Sequence, residues 1–466
     1  MSTAPVLDRP TAAPRYLPLL VLSAAAGLDA GSVAVLNSAL PSLGAEFGTS
    51  AQNLSWAVTG YALAFAGLLL CGGALADRFR RRRVLAAGLL MLAAGAVLAL
   101  LAPAFWLVAV GRVVQGAGAA VTMPAATALV TGLYPAGAAR SRALGIYASA
   151  QAGCYGAGLV LGGVITDALG WRGVFALQAA AAVITVTAAV RWLPAGTAQR
   201  ARRLDPVGGG ALVVAIVLLV LGADLATRPG DGLFLIAFGA AAGAGAVWWR
   251  RGRTRSADEV LLDRALLRVP GVRTAAFVGT AFYFCVSGSL FLLPLHLQQV
   301  RGMTAAASGL AVLPVSLAVT GAALVSGRLI PRFGARPVLA VGLTATAGGV
   351  LLWCLTGAHS SYWWPVFAGL VITGTGQGLA FPAITVTGLG GVGEAAHGTA
   401  SAVTVTALQI GSAVGPAVLA GVAASAGSGT PSLSGHHLAY AVAAGVVLLL
   451  GLPAAARIKA AGRIRG

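Results

Sequence analysis

Apolar residues fill this chain in long runs, cut by short stretches rich in glycine, proline and arginine. A helix rises about 1.5 Å per residue, so crossing roughly 30 Å of hydrocarbon takes roughly 20 apolar residues. Runs of that length lie near 17–40, 54–76, 84–103, 105–131, 144–169, 171–193, 206–226, 232–249, 274–299, 306–330, 338–357, 363–388, 398–424 and 437–455. The pattern predicts an all-α polytopic membrane protein with fourteen transmembrane helices, and an even number places both termini on one side.

Composition and charge sharpen this. At 466 residues the chain has the length of two or three soluble domains, but 58% hydrophobic and 9% charged residues exclude that organisation. A net charge of +19 would suggest nucleic acid for a soluble protein. Here the basic residues sit in short loops between spans. With the N-terminus inside, 27 of the 31 Lys and Arg fall on the inner side and only Arg172, Arg228 and Arg301 on the outer. Cytoplasmic loops carry the excess of positive charge, so both termini are expected in the cytoplasm of an inner-membrane protein, with the lipid bilayer and not nucleic acid as its surroundings. The segment Gly72–Val84, GGALADRFRRRRV, lies on that side. Nothing at the N-terminus matches a cleavable leader, so the first span is expected to stay.

The four cysteines, Cys71, Cys154, Cys285 and Cys354, lie inside apolar runs without close pairing, which indicates neither a disulfide framework nor a metal site. His296, His359, His397, His436 and His437 read as scattered or placed in outer loops. No nucleophile–base pair, phosphate loop or metal spacing is visible, so a polytopic enzyme is the remote alternative and no cofactor is expected.

Two segments repeat. GRVVQGAGAAVTMPAAT from Gly111 and GLVITGTGQGLAFPAIT from Gly369 share Gly, Gly, Gly, Pro, Ala and Thr at a constant offset of 258. Gly73, Arg78 and Phe79 match Gly327, Arg332 and Phe333 at an offset of 254. Two six-helix halves follow, 1–195 and 273–466, separated by an inserted pair of helices over 196–272 with basic loops.

Six plus six helices, the basic loop Gly73-Ala-Leu-Ala-Asp77-Arg78-Phe79-Arg80-Arg81 and Arg112-Val-Val-Gln115-Gly116 in the fourth span resemble the major facilitator superfamily. The two inserted helices make the chain similar to its fourteen-helix drug:proton antiporter branch. That resemblance implies two pseudo-symmetric bundles working by alternating access, with Asp77, Arg78 and Arg81 latching the halves at the cytoplasmic side. An acid at a helix N-terminus suits such a role, because the macrodipole favours an anion there. The equivalent acid position in the second half is Pro331, so the latch is one-sided. Two departures stand out. The helix 1 acid of such families falls nine residues before a proline, which here is Ser32 before Pro41, whereas Asp29 lies one turn earlier on nearly the same face. The fifth span reads Cys154-Tyr-Gly-Ala-Gly-Leu159 where antiporters carry Gly-Pro, although the thirteenth keeps Gly415-Pro416.

Two charges are expected at depth. Counting along the helices puts Asp29 about 18 Å and Arg112 about 20 Å from the inner face. Ionisable groups there are costly and mark function. Burial disfavours the charged carboxylate while a nearby Arg112 favours it, so Asp29 is the candidate proton-coupling residue and Arg112 its partner. A fixed ion pair holding two helices together is the alternative. As the resemblance implies, the first, fourth, ninth and twelfth spans line the substrate path. Candidate substrate residues are Asn37, Gln115, Thr122, Tyr283, Gln298, Gln299, Gln377, Phe381 and Gln409, with Thr375 nearby. Aromatic and amide groups suit bulky, partly apolar molecules. With Asp29 alone at depth, neutral or weakly basic compounds fit better than dications. The function expected is proton-coupled export of hydrophobic small molecules such as antibiotics by a monomer driven by the proton gradient. Uptake or facilitated transport of a metabolite is the alternative.

Overall fold

The computed structural model describes residues 16–135, 138–194, 206–226, 232–254, 265–357, 360–393, 397–425 and 433–457. Outside them lie His359, Asp231, Asp258, Glu259, Asp263 and Glu394, and the side chains of Asp77, Asp224 and His397 are likewise outside the described part. Among the described residues there is no strand. The main helices are α1 (Tyr16–Phe47), α2 (Trp56–Arg78), α3 (Arg81–Leu100), α4 (Phe105–Leu133), α5 (Ala138–Trp192), α6 (Pro206–Leu225) and α7 (Leu233–Thr254). After them come α8 (Pro270–Leu295), α9 (Ala305–Phe333), α10 (Ala335–Leu352), α11 (Ala368–Leu389), α12 (His397–Ser425) and α13 (Leu433–Val446).

Twelve of the described helices are long and apolar enough to cross a bilayer, while the apolar part of α6 is shorter, Val207–Ala223. Where the sequence predicts separate spans at 144–169 and 171–193, α5 runs for 55 residues and breaks only at Gly170, with φ 72° and ψ 175°. Glycine supplies that positive φ without a Cβ clash, so two arms meet with no loop between them.

The repeated glycines explain themselves as packing. A Cβ on Gly111 would lie 2.6 Å from the Gly95 carbonyl oxygen of α3, and one on Gly116 would lie 2.1 Å from the Tyr61 carbonyl oxygen of α2. At the repeat, a Cβ on Gly369 would lie 2.8 Å from the Gly349 oxygen of α10 and one on Gly374 would lie 2.5 Å from the Val315 oxygen of α9. α4 and α11 are thus each clamped between two helices at backbone distance, which small residues permit in a membrane. The second repeat is also mirrored, since Arg78 stacks on Phe79 at 5.6 Å and Arg332 on Phe333 at 5.2 Å.

The ends of the molecule differ. At the end away from the basic loops, one apolar core joins Ala34–Leu43 and Trp171–Phe175 to Phe282–Leu297 and Val312, linking helices from both sides of the inserted pair, and it continues through the second bundle to Val338 and Ala455 near the basic end. At the basic end α1–α5 keep a core largely of their own, from Leu22 and Leu85 to Val130 and Leu193. The far end is tied further by Asp167, whose carboxylate accepts from the backbone N–H groups of Ala305 (3.1 Å) and Ala306 (2.9 Å) at the start of α9. Gln298 adds a bond from its Nε2 to the Ser38 carbonyl at 3.1 Å. The inserted pair does not stand apart. Ile216 and Val220 of α6 pack with Ala62, Leu63 and Ala66 of α2 and Ala413 of α12.

Candidate functional site

α4 presents Arg112 and Gln115 one turn apart on the same face, and the close approach at Gly116 brings α2 within reach of that face. The Arg112 side chain is fully buried. Its Nε donates to the Ala57 carbonyl at 2.8 Å, and its Nη1 donates to Ser32 Oγ at 3.0 Å and to Gln115 Oε1 at 2.8 Å. The guanidinium also lies 4.4 Å from the centroid of the Tyr61 ring. Gln115 Nε2 donates to Gln178 Oε1 at 2.7 Å, and Ser32 Oγ donates to the same oxygen at 3.2 Å. The Tyr61 hydroxyl donates to the carboxylate of half-buried Asp29.

Asp29 and Arg112 therefore meet through Tyr61 and not as the direct ion pair weighed from the sequence. The one ion pair among the described residues joins Arg172 and Glu46 at 2.5 Å, far from this network in sequence. Magnitudes explain how a lone buried cation is tolerated. Removing it from water costs several kcal/mol. Each bond from a charged donor returns about 1.5–3 kcal/mol, and a desolvated cation–π contact about 2. Three such bonds and one ring offset the cost without a carboxylate, and Asp29 is held by the phenol of Tyr61.

Ser32 occupies the position where the resemblance leads one to expect an acid, and it is Ser32 that touches Arg112. Tyr61 and Gln178 escaped the sequence reading. Each is a polar side chain in a run dominated by apolar residues.

Beside the network is a cavity of about 230 Å³. Its lining includes Asn37 together with Val33 and Val58, which are next in sequence to Ser32 and Ala57, so α1 and α2 carry one residue into the network and the next into the cavity. Tyr155 supplies an aromatic wall from α5, and Tyr283, Ser316, Gln377 and Ser412 face it from α8, α9, α11 and α12. Asn37 Oδ1, Gln377 Nε2 and Ser316 Oγ are buried without a hydrogen-bond partner, which leaves one amide acceptor, one amide donor and one hydroxyl for a guest.

Of the other candidate substrate residues, Phe381 packs against Tyr283 with centroids 6.4 Å apart. Gln115 belongs to the Arg112 network. Thr122 is buried against Gly88 of α3, Gln298 is bonded to Ser38, and Gln299 is exposed. Gln409 is half-buried on α12 outside the cavity lining. Two histidines that read as scattered are brought together, His296 and His436 being buried with centroids 5.4 Å apart at the far end.

The arginines after α2 divide by contact. Arg81 donates to the Ala128 carbonyl at 2.8 Å, and Arg82 donates to the Val190 and Leu193 carbonyls at 3.3 and 2.9 Å. Arg82 thus satisfies oxygens at the end of α5, which lack intrahelical donors, while Arg81 adds a second donor to a carbonyl within α4. Arg78 is exposed, and its neighbour Asp77 has its side chain outside the described part.

Residues 22–416 match the family model of the Major Facilitator Superfamily. The chain belongs to that superfamily. It is 33% identical over 441 residues to the cephamycin export protein CmcT of Amycolatopsis lactamdurans, covering 91% of this chain and 89% of the relative. It is 31% identical over 391 residues to the methylenomycin A resistance protein of Streptomyces coelicolor, covering 83% and 81%. Among solved structures, a POT family transporter in complex with 5-aminolevulinic acid has a TM-score of 0.73 over 97% of this chain and 98% of that one, at 16% identity, a likeness of fold alone. Membership of the major facilitator superfamily makes this a membrane-spanning protein of a transporter family.

Proposed function

We propose that this protein is a proton-coupled antiporter that exports hydrophobic small molecules, antibiotics among them, by alternating access. The names of its relatives support antibiotic export. The observation that carries the coupling is the Asp29–Tyr61–Arg112–Ser32 chain of contacts set against the cavity on α1 and α2. A proton arriving at Asp29 removes the charge that Tyr61 bonds to, and that change falls on the helices that form the cavity wall.

In this reading the two arms of α5 and the shorter α6 each cross the bilayer, making fourteen crossings with both termini in the cytoplasm of the inner membrane. The bundles 1–195 and 273–466 rock about the cavity, and the protein works as a monomer without a cofactor. Asp77, Arg78 and Arg81 then latch the basic end when the far end opens. The test is Asp29→Asn in inside-out vesicles. Transport driven by an imposed pH gradient should be lost while binding of the compound persists, and undiminished gradient-driven transport would sink the assignment.

A further inference from the structure

Three histidines outside the Asp29 network meet at the end away from the basic loops. His296 follows the last residue of α8, and His436 and His437 lie near the start of α13. The rings of His296 and His436 stand at 67° with centroids 5.4 Å apart, and the two residues are 0% and 1% exposed. Neither ring nitrogen of His296 has a hydrogen-bond partner.

The described groups around His296 are cationic or neutral. Arg301 lies at the end of the same turn, its Nη2 donating to the Ser360 carbonyl at 2.7 Å while its Nη1 is buried without a partner. His437 donates from Nε2 to the Thr356 carbonyl at 2.7 Å, Cys354 donates to the His437 carbonyl at 3.4 Å, and the Tyr440 ring lies 6.5 Å from His436. α9 packs on the turn and carries no ionisable side chain before Arg328. The acid side chains among the described residues are engaged elsewhere: Asp29 by Tyr61, Glu46 by Trp171 and Arg172, and Asp167 by the N–H groups of Ala305 and Ala306. An imidazolium at His296 would face other cations and no described carboxylate, and a buried charge without a partner is strongly disfavoured.

The pair sits on the joint between the bundles. Across His296–Val300 the helix widens, the Arg301 N–H reaching the His296 carbonyl at 3.3 Å, and single wide turns of this kind are frequent at functional sites. Leu297 enters the apolar core shared by the two bundles, and Gln298 holds the Ser38 carbonyl of α1. On the other side the start of α13 is fixed by the bonds at His437 and by Tyr440, whose ring meets Trp353 at 5.6 Å. Repulsion between the two imidazoles therefore moves the turn, and the Gln298 bond with it.

We infer that His296 and His436 form a proton-sensitive lock on the far end, packed and closed when neutral and parted when charged. Asp29 has no part in it. When this end opens both rings regain water, where imidazole changes charge near about 6.5. The closed form is thus favoured above that pH and loses ground to the open form as the far side becomes more acidic. One proton held only by the open form multiplies the open-to-closed ratio about ten-fold between pH values of about 7.5 and about 5.5. Such a lock keeps the far end shut while protons are scarce there, which limits the return of a molecule already expelled.

The test uses the full chain in lipid nanodiscs, with Asp29→Asn removing the coupling acid. Cys71, Cys154 and Cys285 are changed to alanine, and Cys354→Ser keeps a donor to the His437 carbonyl. Spin labels at Leu101→Cys and Leu310→Cys, exposed positions toward the far ends of α3 and α9, report the opening as a longer distance population. Taking the pH from about 7.5 to about 5.5 should raise the open-to-closed ratio about ten-fold when both histidines are present. His296→Gln, or His296→Asn should the first not fold, should stay closed at both values. No rise with both histidines present overturns the inference, and so does a rise that survives the substitution. A substituted chain that is open at both pH values overturns it as well, since the ring would then act by packing alone. Position 29 cannot titrate in any of these chains, so each outcome stands apart from the proton-coupled export reading.

Discussion

A carboxylate and a guanidinium at similar depth in a membrane would ordinarily pair, and in this protein Tyr61 stands between them. Its hydroxyl bonds Asp29 and its ring carries Arg112, so one side chain couples an anion and a cation through different faces. The two roles separate by mutation. Tyr61→Phe keeps the ring over Arg112 and removes only the donor to Asp29. Losing a bond to a charged group is worth about 1.5–3 kcal/mol, so the rate of gradient-driven transport should fall about ten-fold or more. Affinity for the exported compound should stay near that of the parent, because Tyr61 is absent from the cavity lining. A loss of affinity with an unchanged maximal rate would show that Tyr61 serves the cavity and not the proton. Asp29 and Arg112 were legible in the sequence because a charge inside an apolar run is conspicuous. Tyr61 and Gln178 were not, because tyrosine and glutamine also serve as packing residues, and their meeting depends on helix approach that no local pattern encodes.

At the scale of the helices, the sequence repeat was legible because it records physical necessity. Gly111 and Gly369, and Gly116 and Gly374, sit where backbones come so close that any side chain would collide. What the repeat did not disclose is the lock at the far end. Asp167 lies two residues before the end of the predicted span 144–169, and nothing in the local pattern says what it meets. Its partner is the N-terminus of a helix more than a hundred residues away, where unsatisfied N–H groups and the macrodipole favour an anion. Asp167→Ala removes both bonds to α9 while leaving the glycine contacts beneath them in place. With about 1.5–3 kcal/mol at stake, the ratio of far-end-open to far-end-closed molecules should rise about ten-fold or more. Spin labels on α5 and α9 near the far end would read this as a longer distance population. An unchanged distribution would assign the closure to the apolar contacts at Gly163 and Gly309 alone.

For the whole molecule, the insertion was visible as an offset between repeats larger than six helices need, but its position was not, since α6 and α7 are apolar on every side and carry no mark of which neighbour they meet. In the structure α6 lies against both bundles, and that contact decides whether the insertion is an appendage or a strut. Lipid is as apolar as Ile216 or Val220, so their burial gains packing and not transfer from water, which puts each truncation at the low end of the core range. Ile216→Ala with Val220→Ala should therefore cost about 2 kcal/mol per residue and lower the Tm of the purified protein. Leu235→Ala, on the exposed side of α7, should change stability by no more than about 0.5 kcal/mol. A strut that spans a moving seam also resists the movement, so the double variant should turn over differently from the parent even at temperatures where both are folded. An appendage would give neither effect, and an unchanged Tm with unchanged turnover would return α6 and α7 to that role.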